Sequence, residues 1–464
     1  MMKPQLQVMK FGGTSVGDAE CIARTAQIIA KGAREKACVA VVSAMSGVTN
    51  RLIEAANKAQ TGNAQEAVEA IEGLRAQHEA VLLNLTQKDA ERCELRKKID
   101  AVLAEGQRLC EGTALLRELT PRTLDAISSL GERLSAPVVS MAVRELGLQS
   151  EAIEATVLIV TDAFHGGAEP QMGMTHEKSQ ARLLPLLENG VVPIVTGFIG
   201  ATEGGQLTTL GRGGSDYSAT ILGAAIGADE VIIWTDVDGV LTADPRLVSE
   251  AQTIPMISYR EAAELAYFGA KVLHPATVLP AIQKNIPVLV LNSRNPTCEG
   301  TKITARAPHC KNIFKAIAAK KRITIVNVAA PRMLLAHGFL KAIFEAFDRH
   351  KVAVDVVSTS EVSVSLTVDS NEAIPALAAD LAKLADVKYE GRKAIVCLVG
   401  ENLRETPGIA ARVFGELSDL KIRMISQGAS EINLTFVIEE DDASEVVKRL
   451  HHAFFAEADP EVFA

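Results

Sequence analysis

Two glycine-rich loops in this chain hold the residue types that phosphate chemistry needs. The first is KFGGTS, from Lys10 to Ser15, and the second is TTLGRGGSDYSA, from Thr208 to Ala219. Each follows apolar, strand-like residues: Leu6, Val8 and Met9 before the first, and Ile194, Val195, Phe198 and Ile199 before the second. Each precedes a helix-like stretch. Glycine lets backbone N–H groups approach an anion closely, and a helix N-terminus adds its positive end. Lys10 and Arg212 are cations inside these loops, with Asp216 beside the second. Together they are apparatus for holding phosphate and moving a phosphoryl group. Each feature has a plainer reading. A lone Gly-Gly after a strand is usually a tight turn. Lys10 alone is a solvated strand-end lysine, and Asp216 alone is a helix N-cap or first-turn acid. Two loops, each with a cation, favour the phosphate reading. Neither loop matches G-x-x-x-x-G-K-[ST] or G-x-G-x-x-G, which disfavours a P-loop or dinucleotide-binding assignment.

The loops need strands and helices to position them. Residues 6–11 read as a strand, 18–32 as a helix and 38–44 as a buried strand. Residues 51–145 are rich in Ala, Glu, Leu, Gln and Arg and read as a helical insertion. The apolar runs TVLIVT (156–161), VVPIVTGF (191–198), EVIIWTDV (230–237) and IPVLVLN (286–292) alternate with helical stretches. That alternation predicts a largely parallel sheet covered on both faces. The polar segment 293–312 reads as the linker that closes the first domain.

Composition narrows the class. At 464 residues, two to four domains are expected. The formal charge of −9 comes with no basic cluster, so nucleic acid is not an expected partner. The seven cysteines are scattered and never in C-x-x-C spacing, which points to a reducing compartment and away from a disulfide framework or a zinc site. None of the histidines shows metal-ligand spacing, so no protein-held metal site is expected. The N-terminus lacks a signal peptide's apolar core, and no run reaches the roughly 18 apolar residues of a membrane span. A cytoplasmic protein is the expectation.

The C-terminal third is an internal repeat. Gly338 and Gly408 are 70 residues apart (408 − 338), as are Phe344 and Phe414, Ser360 and Ser430, and Glu361 and Glu431. Ile325 with Ile395, Val328 with Leu398 and Val364 with Leu434 keep the same register. Each copy reads as strand, Gly-bearing loop, helix, strand, loop, strand: a ferredoxin-like α+β module, present twice. A packing scaffold without ligand is the plainer reading of this tail.

The strings KFGGTS (10–15), VVSAMSGVTN (41–50), GER (131–133), TTLGRGGSDYSA (208–219), WTDVDGV (234–240), ADPR (243–246) and FGAKVLHP (268–275) together resemble the aspartokinases, with the tail resembling their tandem ACT modules. The resemblance covers the whole chain. It implies an α/β amino acid kinase fold over 1–305, with the helical insertion at about 51–145, then ACT modules at 313–390 and 391–464. The second module would complete the first or be inserted into it. It further implies ATP-dependent phosphorylation of the L-aspartate β-carboxylate, with Mg2+ as a cofactor. Lys10 and Asp216 would be catalytic. Ser43, Thr49, Glu132, Arg212 and Ser215 would hold aspartate, Arg212 at the α-carboxylate and Glu132 at the α-ammonium. A planar guanidinium suits a carboxylate on chemistry alone. Glu132 read alone is a surface glutamate, and Thr49 read alone is a helix N-cap.

The nucleotide would lie over Gly12, Gly13, Thr14, Gly213, Gly214, Thr235, Asp236, Leu241, Arg246 and Lys271. Leu241 departs from the aromatic residue many relatives carry at that place. An effector amino acid, lysine before threonine, would sit at Met333, Gly338, Phe339, Leu340, Asp355, Thr359, Ser360 and Glu361. A homodimer through the ACT modules, or a tetramer built from it, is the implied assembly. The alternatives are a kinase of another small carboxylate or carbamate, and a non-catalytic amino acid sensor.

Overall fold

The computed structural model describes residues 5–269, 273–308, 310, 312–330, 337–456 and 463. The chain divides into two compact units. One holds the chain up to Val240, with Pro255–Tyr259 and the run ending at Ala307; the other holds Leu241–Ile254 and the stretches from Arg260 and from Pro308 onward.

In the first unit the chain order is β1 (Leu6–Phe11), α1 (Ala19–Glu35), β2 (Ala37–Val42), α2 (Val48–Gln60), α3 (Ala64–Leu85), α4 (Asp89–Leu116), α5 (Pro121–Ser128), α6 (Leu130–Glu145), β3 (Ser150–Ile153), β4 (Val160–Thr161), α7 (Met172–Glu188), β5 (Val192–Thr196), β6 (Ile199–Thr202), β7 (Leu207–Thr209), α8 (Gly214–Ile226), β8 (Glu230–Thr235) and β9 (Met256–Ser258). Then come α9 (Tyr259–Tyr267), which starts here and runs on in the second unit, α10 (Leu279–Gln283), β10 (Val288–Asn292) and β11 (Thr301–Thr304).

Eight strands make one sheet in the order β3-β5-β2-β1-β8-β10-β11-β9. All its neighbours are parallel except β10 and β11. The central strands read as unbroken apolar runs because helices cover both faces: Val8, Phe11 and Val39 to Val42 are fully buried. Phe11 stacks flat on Trp234 of β8 with ring centroids 6.1 Å apart. Helix α1 starts where Asp18 accepts the Cys21 N–H at 2.8 Å. The insertion between β2 and β3 is helical from α2 to α6.

Two local readings need correction. TVLIVT is not one strand. Residues 155–157 form a 3-10 turn, tied by the Ala155 N–H to Thr196 Oγ1 at 2.7 Å, and only Val160–Thr161 is extended. That pair joins β6 and β7 in a separate three-stranded sheet. Leu158 and Ile159 are fully buried while Val157 is half-exposed, so the apolar run marks burial and not extension. The 293–312 segment is also more than a linker. Thr301 accepts the Val240 N–H at 2.8 Å, and β11 adds antiparallel to β10.

In the second unit the elements are β12 (Phe314–Ala329), α11 (Phe339–Arg349), β13 (Val354–Thr359), β14 (Ser363–Asp369), α12 (Ile374–Leu381), β15 (Asp386–Gly400), α13 (Ile409–Gly415), β16 (Met424–Gln427), β17 (Asn433–Glu439) and α14 (Ala443–Phe455). One six-stranded antiparallel sheet runs β13-β14-β12-β15-β17-β16. The repeat is visible in the pairing itself. Val328 faces Val364 in the first copy, and Leu398 faces Leu434 in the second. Gly338 and Gly408 cap α11 and α13 with φ of +83° and +72°. Even the unusual backbone recurs, at Arg322 (φ 59°) and Arg392 (φ 55°). Each copy also ends in a helix, α12 or α14, beyond the expected order.

Candidate functional site

The chain leaves β1 for β2 and β5 on one side and for β8 and β10 on the other. In an open α/β sheet, the crevice at the carboxyl ends of such strands is where ligands bind. Lys10 is the second-last residue of β1 there, and the Gly12 N–H reaches the Trp234 carbonyl at 3.5 Å. Residues Gly13–Ser15 form a 3-10 turn, with Ser15 Oγ bonded to Ser293 Oγ at 2.9 Å. Ser293 Oγ also donates to the Thr235 carbonyl at 3.0 Å, which ties this turn to the end of β8. A Cβ on Gly12 would lie 3.2 Å from Lys10 Nζ, and one on Gly13 would lie 3.1 Å from the Ala44 carbonyl. The loop is bare backbone because its surroundings leave little room for side chains, and that bareness fits a phosphate cradle. Thr14 is exposed on it.

The second loop meets the first. Gly211 and Gly213 flank Arg212 with φ of +73° and +72°, which a glycine adopts without strain. Gly213 caps α8, with Gly214 at its first position and Asp216 in its first turn. Asp216 is therefore the first-turn acid, and it also pairs with Lys10 at 2.6 Å. Their side chains are only 12% and 15% exposed, so water screens this pair far less than a surface one. A Cβ on Gly197, just after β5, would lie 2.7 Å from Ser215 Oγ, so that glycine is what lets Ser215 sit against the strand end. The Arg212 side chain is exposed.

Glu132 corrects its plain reading as a surface residue. It lies in the first turn of α6 and is 3% exposed. Its Oε2 has no hydrogen-bond partner among the described residues. Burial pushes its pKa up to about 8, against a smaller opposing pull from the Ala44 N–H. A buried carboxylate with an idle oxygen is matched to an incoming cation. Ser43 follows β2 and donates its N–H to the Phe11 carbonyl at 3.0 Å. Its own carbonyl accepts from Ser135 Oγ at 2.7 Å, so α6 is pinned to the end of β2. Thr49 is not a cap: Gly47 (φ +79°) caps α2 and Thr49 is its second residue. Thr49 instead flanks Gly131, whose Cβ would lie 3.6 Å from Thr49 Oγ1.

Thr235 ends β8 and donates to Asp236 Oδ1 at 3.3 Å, with Asp236 exposed. Leu241 and Arg246 belong to the second unit. There Leu241 bridges to Thr253, and Arg246 is paired with Asp244 at 2.6 Å. Lys271 lies outside the described residues.

Two residues of this region hold places that the sequence did not signal, Phe198 having read only as part of an apolar strand. Phe198 has φ +70°, rare for an aromatic residue, and its ring and Cα abut Gly214. Asp125 is a buried carboxylate bound to β7 and to the loop after β4. The sequence held no signal for either, because a positive φ and burial among distant partners are tertiary facts.

Of the proposed effector residues in the second unit, Met333 is outside the described set. Gly338, Phe339 and Leu340 open α11, with Leu340 42% exposed. Thr359, Ser360 and Glu361 are exposed at the β13–β14 turn, where Ser360 Oγ and Ser363 Oγ are 2.7 Å apart. The Asp355 carboxylate is already engaged by Lys320 at 3.1 Å and by the Tyr267 hydroxyl at 2.9 Å.

The parallel sheet with its glycine cradle, the Lys10–Asp216 pair and the duplicated tail define a phosphoryl-transferring kinase with a regulatory-type extension. Comparison with known proteins agrees. The amino acid kinase family profile matches residues 5–292, and an ACT domain profile matches 396–454. Lysine-sensitive aspartokinase 3 of Escherichia coli is 38% identical, over 97% of this chain and 99% of its own length. The chloroplastic aspartokinase 2 of Arabidopsis thaliana is 38% identical, over 98% of this chain and 85% of its own. The crystal structure of E. coli aspartokinase III in complex with aspartate and ADP superposes with a TM-score of 0.84 at 37% identity, covering 97% of this chain and all of that one. The structure of the same enzyme with lysine and aspartate gives 0.82 at 38% identity, covering 97% and 99%. The chain belongs to the aspartokinase family, within the amino acid kinases, and is an enzyme of that type. No helix among the described residues is long and apolar enough to cross a membrane.

Proposed function

We propose that this chain transfers the γ-phosphoryl group of ATP to the β-carboxylate of L-aspartate at the crevice around Lys10. One observation carries the reading: the Lys10–Asp216 pair and the bare Gly12–Gly13 loop share the sheet's ligand-binding end with a buried, half-idle Glu132. Donor and acceptor are both anions, so positioning and charge neutralisation do most of the work. A β-carboxylate oxygen attacks the γ-phosphorus, the new O–P bond forms, and the bond to the β,γ-bridging oxygen breaks. Lys10, held in place by Asp216, follows the negative charge as it moves between oxygens. Backbone N–H groups at Gly13 and Thr14, and that of Gly213 just before α8, hold phosphate oxygens, while those of Gly12 and Gly214 bond to the Trp234 and Gly211 carbonyls and shape the two loops.

Arg212 grips the α-carboxylate and Glu132 the α-ammonium, with Ser43, Thr49 and Ser215 lending hydroxyls. Thr235 and Asp236 face the nucleotide. Mg2+ bound with ATP supplies further positive charge, and Asp216 and Asp236 are the carboxylates suited to it. The tail supports binding of an end-product amino acid, lysine by the likeness to the lysine-sensitive relative, and pairing of two chains through their ACT modules in the cytoplasm. An ADP-release assay comparing aspartate, glutamate, N-acetylglutamate and carbamate tests the acceptor. Turnover with aspartate alone is expected, and preference for any of the others refutes the reading.

A further inference from the structure

Asp125 is the most fully engaged buried carboxylate in the first unit, and the chemistry above leaves it unused. It lies in α5 and is 2% exposed. One Asp125 oxygen accepts the Thr209 hydroxyl at 2.5 Å, and the other accepts the Thr209 N–H at 3.3 Å. The Gly166 N–H lies 3.1 Å from both oxygens, and His165 Nδ1 is 2.8 Å from one. A carboxylate only accepts, so His165 presents its proton on Nδ1. Four donors from two separate segments thus converge on one side chain.

Those segments lead to the aspartate-binding groups. Thr209 ends β7, three residues before Arg212. Residues 165–168 form the wall beside that run. The Ala168 N–H bonds to the Thr209 carbonyl at 2.9 Å, and a Cβ on Gly211 would lie 3.1 Å from the Gly166 carbonyl. In the other direction, α5 passes through Ser129 into α6, whose first turn carries Glu132, seven residues beyond Asp125.

We propose that Asp125 is a positioning residue for the acceptor substrate. By binding Thr209 and the 165–166 backbone, it fixes the span between Arg212 and Glu132, the two groups that read the ends of aspartate. This rests on the acceptor-site reading above. A misplacement near 1 Å in such a site costs up to about a hundredfold in rate or affinity. Neutralising the carboxylate also replaces one acceptor oxygen with a donor that faces donors.

The test compares Asp125→Asn, Thr209→Val and Thr209→Ser with the unaltered enzyme, reading KM for aspartate, KM for ATP, kcat and melting temperature. Asp125→Asn and Thr209→Val are expected to raise the aspartate KM tenfold or more, with the ATP KM within about twofold. Thr209→Ser keeps the hydroxyl donor and is expected to stay within about threefold of normal. A purely structural role would lower the melting temperature and the active fraction without moving the aspartate KM, and that result overturns the proposal. If Asp125→Asn does not fold, Thr209→Val against Thr209→Ser decides alone. Arg212→Lys separates the two levels of the argument. If it raises the aspartate KM while Asp125→Asn and Thr209→Val do not, only the positioning role falls. If Arg212→Lys leaves that KM unchanged, the acceptor-site reading falls and the proposal with it.

Discussion

Glu132→Gln probes the site through proton linkage. In the folded enzyme the Glu132 carboxyl titrates at about 8, compared with 4.5 for a solvated glutamate. That difference of about 3.5, at about 1.4 kcal/mol per pH unit, makes ionisation in the empty site cost on the order of 5 kcal/mol. The sign follows from proton counts. The folded state holds this proton between about pH 4.5 and 8 and the unfolded state does not, so stability falls as pH rises through that window. The penalty is absent below it and complete above it. A neutral glutamine escapes it, so the variant's stability relative to the unaltered enzyme should improve from pH 6 to about pH 8 and level off above that.

Binding runs the opposite way. The α-ammonium of aspartate needs the ionised form, which is about one molecule in eleven at pH 7 and about ten in eleven at pH 9. The unaltered enzyme should therefore show a fall of about tenfold in aspartate KM across that range. Glu132→Gln should have a raised KM that does not change with pH. Coupled ADP-release kinetics at saturating ATP and thermal melts over pH 6–9, with and without aspartate, measure both effects. A flat aspartate KM in the unaltered enzyme, or a normal KM in the glutamine variant, would refute the assignment of Glu132.

Lys10→Ala should cut kcat by about a hundredfold or more while nucleotide binding, followed by calorimetry, is largely kept, because its charge matters most in the transition state. Arg212→Lys should raise the aspartate KM by about tenfold or more, since an ammonium cannot reproduce the guanidinium fork; a loss confined to ATP affinity would count against the placement. Asp355→Ala should relieve inhibition by lysine without lowering uninhibited kcat, and lysine titration by calorimetry should show the binding lost. In that last case the carboxylate is already held by Lys320 and Tyr267, so an effector ammonium must compete with them. Unchanged inhibition would remove Asp355 from the effector site.

The sequence by itself determined the kinase loops and the duplicated tail. Both are local in origin. Glycine runs, a cation within them and an apolar strand before them are contiguous, and a 70-residue register survives in the pairing of Val328 with Val364 and Leu398 with Leu434. Lys10 and Asp216 stood out separately, in loops about 200 residues apart, and only folding brings their atoms to 2.6 Å. Tertiary structure alone decided the environments. Glu132 looks like any helical surface acid until α6 is pinned onto the end of β2, and its raised pKa is a property of that burial. Asp125 gains its meaning from partners 40 and 84 residues away. TVLIVT showed the converse limit: an apolar run reports that a segment is buried, and whether it extends or turns depends on distant groups, here Thr196, which takes the Ala155 N–H just before the run. Pattern in sequence encodes which residues avoid water. Which polar atoms they enclose, and so which carboxylate is left waiting for a cation, is fixed only when the elements pack.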